Sequence, residues 1–207
     1  MRALLDIYIR SLTEREPAVD APEHQQDLGT FMCWLLERSG YEIHLRAYWR
    51  HGIQHRKSSG RPQWGVDIIA SKPDESERGW LFVLKCGDFG RGDFAPGVPG
   101  TMINDLWEAA GREPATNNQH VLDPRSSFTH ITVVAVHNGD VDTEAIGQQV
   151  KQQCEQIKKK NDVDVEWWDA QKLIDMALAR PVEASRGALE EMADASLFPP
   201  SARPFAR

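Results

Sequence analysis

The sequence predicts an α/β fold in which a central mixed β-sheet is flanked by helices. Two segments rich in β-branched and aromatic residues, 64–70 and 80–86, enclose a polar, breaker-rich stretch over 71–79 and read as a β-hairpin. The run 130–136 is almost continuously apolar, as expected of a strand covered on both faces. A helical pattern, a short strand and a second helical pattern follow it. That alternation demands a parallel portion of sheet with helices packed on its faces.

Taken in order, Leu4, Leu5, Tyr8, Ile9 and Leu12 form one helical face that ends near Pro17. Asp20-Ala21-Pro22-Glu23 is a helix start, with proline in the first turn and acids on either side of it. The helix expected over 22–39 carries Leu28, Phe31, Met32, Leu35 and Leu36 on one stripe and ends at Ser39-Gly40. Residues 41–47 alternate like a half-buried strand. The segment 50–62 is loop-like, with Gly52, Ser58, Ser59, Gly60 and Pro62, and the hairpin comes next. A glycine- and proline-rich loop over 87–100 leads to a helix over 101–111. After the apolar strand, His137-Asn138-Gly139-Asp140 is a turn, and Asp142 or Thr143 caps a helix over 143–160. A strand over 163–168 and a helix over 170–179 capped by Asp169 complete the alternation. The expected organisation is an N-terminal helical extension (1–21), a main domain (22–180), and a C-terminal helix and linker (181–207) leading to further domains of a longer chain.

At 207 residues and 41% hydrophobic content the chain can bury a core, and no apolar run is long enough to span a membrane. The N-terminus does not resemble a signal peptide, and the widely spaced Cys33, Cys86 and Cys154 form neither a zinc pattern nor a disulfide framework; a reducing cytoplasm is the expected compartment. The net charge of −7 argues against nucleic acid until its distribution is considered. No acid occurs from Ile43 to Val66, whereas Arg46, Arg50, Arg56, Lys57 and Arg61 do, together with His44, His51 and His55. Such a basic stripe on an acidic body is a candidate phosphate-contacting surface, or simply a solvated loop.

Asp67 and Lys85 are the residues that need a reason. Each sits in an otherwise apolar arm of the hairpin, where a charge is costly unless it is paired or used. A structural ion pair at the sheet end would suffice. The order of elements goes further. Ser39-Gly40-Tyr41-Glu42 lies at the first helix–strand junction. Gly65-Val66-Asp67-Ile68-Ile69-Ala70 and Leu81-Phe82-Val83-Leu84-Lys85 form the hairpin. Val165-Glu166-Trp167-Trp168-Asp169 with Lys172-Leu173-Ile174 closes the unit. Over residues 22–180 this arrangement resembles the restriction-endonuclease-like PD-(D/E)xK superfamily, in particular Mrr-type and anti-phage defence nuclease domains.

The resemblance implies a metal-dependent DNA endonuclease, the effector of a prokaryotic defence or restriction system. Asp67 would be the metal carboxylate and Lys85 the catalytic lysine. The backbone carbonyl of Leu84 would be a further ligand of Mg²⁺ (or Mn²⁺). Arg46, Arg50, Arg56, Lys57 and Arg61 would contact DNA, and Gln25 and Gln63 would line the site. Self-association is left open. The sequence departs from the family at Val83, where an acid or glutamine is expected two residues before the lysine. The missing acid could come from Asp88, or from Asp27 or Glu37 of the first helix. A single metal could be held by Asp67, the Leu84 carbonyl and substrate. Or the domain could have lost catalysis and kept DNA binding or assembly. A protein-interaction domain with an incidental basic loop is the alternative from another class.

Overall fold

The computed structural model describes residues 2–12, 28–45, 66–90, 97–98, 101–111, 128–141 and 143–179. They form five helices, α1 (Arg2–Ser11), α2 (Leu28–Arg38), α3 (Met102–Gly111), α4 (Thr143–Asn161) and α5 (Ala170–Leu178). The strands are β1 (Glu42–Leu45), β2 (Ile68–Lys72), β3 (Glu75–Lys85), β4 (His130–His137) and β5 (Asp164–Trp168). The sheet runs in sequence order, β1-β2-β3-β4-β5. The β1–β2 and β2–β3 pairs are antiparallel, and the β3–β4 and β4–β5 pairs are parallel. The expected mixed sheet with flanking helices is therefore what forms.

Local chemistry sets the element ends. Helix α2 stops in a Schellman motif. Gly40 takes φ +79°, its N–H donates to the Glu37 carbonyl, and the Tyr41 N–H reaches back to the Leu36 carbonyl. Asp169 caps α5 as its position before the helix suggests, its carboxylate accepting the Lys172 N–H at 2.8 Å. The hairpin differs from expectation. The stretch 71–79 is not a long loop, because β2 runs on to Lys72 and β3 begins at Glu75, leaving Pro73-Asp74 as the turn. Ladder pairing extends the strands into charged sequence whose side chains face solvent, and an irregularity between Ser71 and Lys72 absorbs the extra residues of β3. Lys72 lies over the rings of Tyr41 and Trp80 at 5.0 and 5.1 Å, which covers that end of the sheet with its alkyl stem.

The sheet separates two apolar layers. Alternate residues of β3 divide between them. Trp80, Phe82 and Leu84 pack with α1, α2 and α5, whereas Leu81 and Val83 pack with α3 and α4. Leu5, Tyr8, Ile9 and Leu12 place α1, expected as an extension, inside the first layer. In β4, Val133 to Val136 are fully buried, which accounts for the unbroken apolar run. Gly79 is needed because a Cβ there would run into the Phe128 ring, which lies across the strand. Among the described residues no helix is long and apolar enough to cross a membrane.

Candidate functional site

Parallel strands β3 and β4 end together, and the segments that leave them are tied to each other. A Cβ on Gly139 would meet the backbone carbonyl of Gly87, so only glycine allows this approach. Phe89 bridges to Val141, its N–H donating to the Asp140 carbonyl at 2.7 Å. Asn138, buried, is the polar spacer of the junction. Its carbonyl oxygen accepts the Gly87 N–H at 2.8 Å, and its Nδ2 donates to the carbonyls of Ile9 and Leu12 at 2.8 and 2.9 Å. The last turn of α1 is thereby fixed to the ends of both strands. The sequence marked 137–140 as a turn but gave no sign that Asn138 would be its buried hub, because its partners lie far off in the chain.

Asp67 sits just before β2, half-buried. Its N–H donates to the Phe82 carbonyl at 2.9 Å, and its Oδ2 accepts the Leu84 N–H at 2.8 Å. The carboxylate thus continues the β2–β3 ladder where the backbone pairing stops. A strand residue presents its N–H and C=O on the same side, so the Leu84 carbonyl also lies on the Asp67 side of β3. Lys85, the last residue of β3, turns to the α3 layer. Its Nζ is 2.9 Å from Oδ2 of Asp105, with side-chain exposures of 26% and 15% for the two partners.

Asp105 was not singled out by sequence reasoning. Its only signal was an acid inside the apolar pattern Met102, Ile103, Leu106, and the helix's direction relative to β3 could not be read locally. Val83 is fully buried beneath this pair, in the same layer as Met102, Ile103 and Leu106. The strand position expected to hold an acid is therefore part of the core.

Asp88 lies just past β3, at the same strand-end junction. It is exposed and its carboxylate accepts the Asp140 N–H at 2.9 Å, a turn-stabilising use. Glu37 is exposed on α2, whose buried residues pack in the layer opposite α3. Gln25, Asp27, Arg46, Arg50, Arg56, Lys57, Arg61 and Gln63 lie outside the described residues. Of the basic stripe's described residues, His44 has its Nε2 2.7 Å from the Ser71 hydroxyl.

His137 neighbours Lys85 in the β3–β4 register. It is fully buried, with ring centroids of Phe89 and Trp167 at 5.8 and 5.5 Å. The Trp167 indole N–H donates to its Nε2 at 2.7 Å, and because an indole only donates, the neutral ring must carry its proton on Nδ1. Burial lowers its pKa below the usual histidine value, against the opposing pull of Asp169, Asp140 and Asp88.

Among the described residues no three His, Cys, Asp or Glu side chains group to hold a metal ion. Among the described residues, the oxygen donors at the end of β3 include the Asp67 carboxylate and, on the same side of the strand, the Leu84 carbonyl. Such a sparse, all-oxygen pair suits a hard cation like Mg²⁺, which keeps several waters and shares the rest of its shell with substrate phosphate. It does not suit a zinc site closed by protein ligands. Comparison with family models, curated proteins and solved structures finds no match for this chain.

Proposed function

We propose that the chain is a restriction-endonuclease-like domain of the PD-(D/E)xK type that hydrolyses DNA phosphodiesters with Mg²⁺ or Mn²⁺. The observation that carries this reading is the junction of Asp67 with Leu84-Lys85: an acid from one strand end held at 2.8 Å against the adjoining strand, one residue before a lysine. The strand directions agree with it. Three antiparallel strands, a helix on one face and a parallel fourth strand bring the acid and the amine to one end of the sheet. In open α/β sheets, ligands bind beyond the carboxyl ends of parallel strands, which is where Lys85 emerges.

The bound cation would supply a Lewis acid and lower the pKa of its water. Asp67 and the Leu84 carbonyl would hold it. Lys85 would meet the scissile phosphate and stabilise the negative charge that grows on it as a water oxygen bonds to phosphorus and a P–O bond breaks. Arg46, Arg50, Arg56, Lys57 and Arg61 would bind the DNA backbone. Service as the effector of an anti-phage system in the cytoplasm belongs to the same proposal and rests on the resemblance alone.

Plasmid degradation with Mg²⁺ or Mn²⁺ tests the reading. Wild-type protein should cut, and Asp67→Ala and Lys85→Ala should each lose at least about a hundredfold in rate. Equal behaviour of all three would end the nuclease assignment.

A second reading is a degenerate nuclease fold that binds DNA or mediates assembly without cutting. The burial of Val83, which cannot ligate a metal, favours it. Salt-dependent DNA binding without cleavage in any divalent cation would select it.

A further inference from the structure

We propose that Asp105 is the positioning residue for Lys85, an inference that rests on the nuclease reading above. The Lys85–Asp105 contact at 2.9 Å is made by two largely enclosed side chains, 26% and 15% exposed. Such a pair is screened less than a surface ion pair and is held more firmly. Lysine on its own is a flexible four-carbon stem that sweeps a wide volume. Asp105 removes that freedom. Its helix is fixed by Met102, Ile103 and Leu106, all buried against the layer that contains Leu81 and Val83, so the carboxylate has a set position relative to β3.

The buried valine now has a counterpart. Strand β3 offers no carboxylate two residues before its lysine, and the helix packed over that valine offers one instead. Asp105 holds the ammonium at the mouth beside Asp67 and Leu84 while no phosphate is present. An arriving phosphodiester then shares or takes over the ammonium's donors, and Lys85 acts as a fixed positive charge on the phosphate.

Two readouts on the full chain test this. The first is the rate at which Lys85 is acylated by an amine-selective reagent, followed by peptide mass spectrometry without metal or DNA. Asp105→Asn should speed acylation at least about threefold, and Asp105→Glu should stay near wild type. The second is plasmid cleavage with Mn²⁺ at varied DNA concentration. Asp105→Asn should lower kcat about tenfold with KM nearly unchanged, and Asp105→Glu should recover most of the loss. Circular dichroism melts check that the variants are folded, and Asp105→Ser, expected to match the asparagine variant in both readouts, carries the test if that variant is not.

Faster acylation with unchanged cleavage, in a protein that Lys85→Ala silences, would make Asp105 a structural partner only. That overturns this inference and leaves the nuclease reading standing. No cleavage by wild type in either cation would overturn both.

Discussion

The two faces of the sheet are built from the same strands and have different chemistry. On the face covered by α1, α2 and α5, residues Phe82, Leu84, Val136 and Trp168 remain apolar to the carboxyl ends of the strands. On the face covered by α3 and α4, the layer is equally dry in its middle, at Leu81, Val83, Val133 and Ala135. One step further along, it changes to Lys85 with Asp105 and to His137 with Trp167. The first face is a continuous core, and the second is a core with a polar mouth. Since the backbone spacing is shared, the difference comes from which side chains the strand alternation sends to each side and which helix lies over them.

The comparison can be broken hardest at Val83. Val83→Glu would place an acid two residues before Lys85, but in a fully buried position. We expect a loss of about 4 kcal/mol in urea unfolding, since a carboxylate must be desolvated among Leu81, Met102 and Leu106. An unchanged midpoint would mean that the mouth reaches deeper than Lys85. On the opposite face, Phe82→Ala removes a fully buried ring that meets Trp168 at 5.3 Å and should cost about 3–4 kcal/mol by the same measurement. It should leave Lys85 acylation unchanged if the two layers are independent.

A smaller effect is expected from pH. His137 is neutral in the fold because burial lowers its pKa, whereas in the unfolded chain it takes up a proton near 6.5. Between those two values the unfolded state binds more protons. Stability should therefore be complete above about pH 6.5 and fall as pH drops towards the folded-state value. Urea midpoints from pH 7.5 to 5 should show this decline, and His137→Leu should flatten it. An equal slope in the variant would assign the decline to other groups. The smallest change is expected far from the mouth. Arg2 and Asp175 meet at 2.6 Å but are each 55% exposed, so Arg2→Ala should cost no more than about 0.5 kcal/mol in the same unfolding measurement.

The pattern along the chain suffices for the element types. The apolar arms of the hairpin, the buried run of β4, the glycine stop after α2 and the aspartate cap of α5 are all local, and local chemistry is readable in a window of a few residues. Asp67 and Lys85 were legible for the same reason, as charges out of place in apolar strands. The hairpin's turn was misjudged because charged residues can continue a strand once its partner supplies ladder bonds, and 71–79 looks like a loop only in isolation.

What the sequence by itself determined is therefore the order and kind of the elements and the two residues that do not belong in a core. The tertiary structure alone decided how these meet. Asp105 becomes the partner of Lys85, Asn138 the tie between α1 and the strand ends, and Val83 a core residue beneath the mouth. Each depends on which helix crosses which face of the sheet. That choice is made by burying apolar area across the whole domain, and it leaves no local mark at the residues whose surroundings it sets.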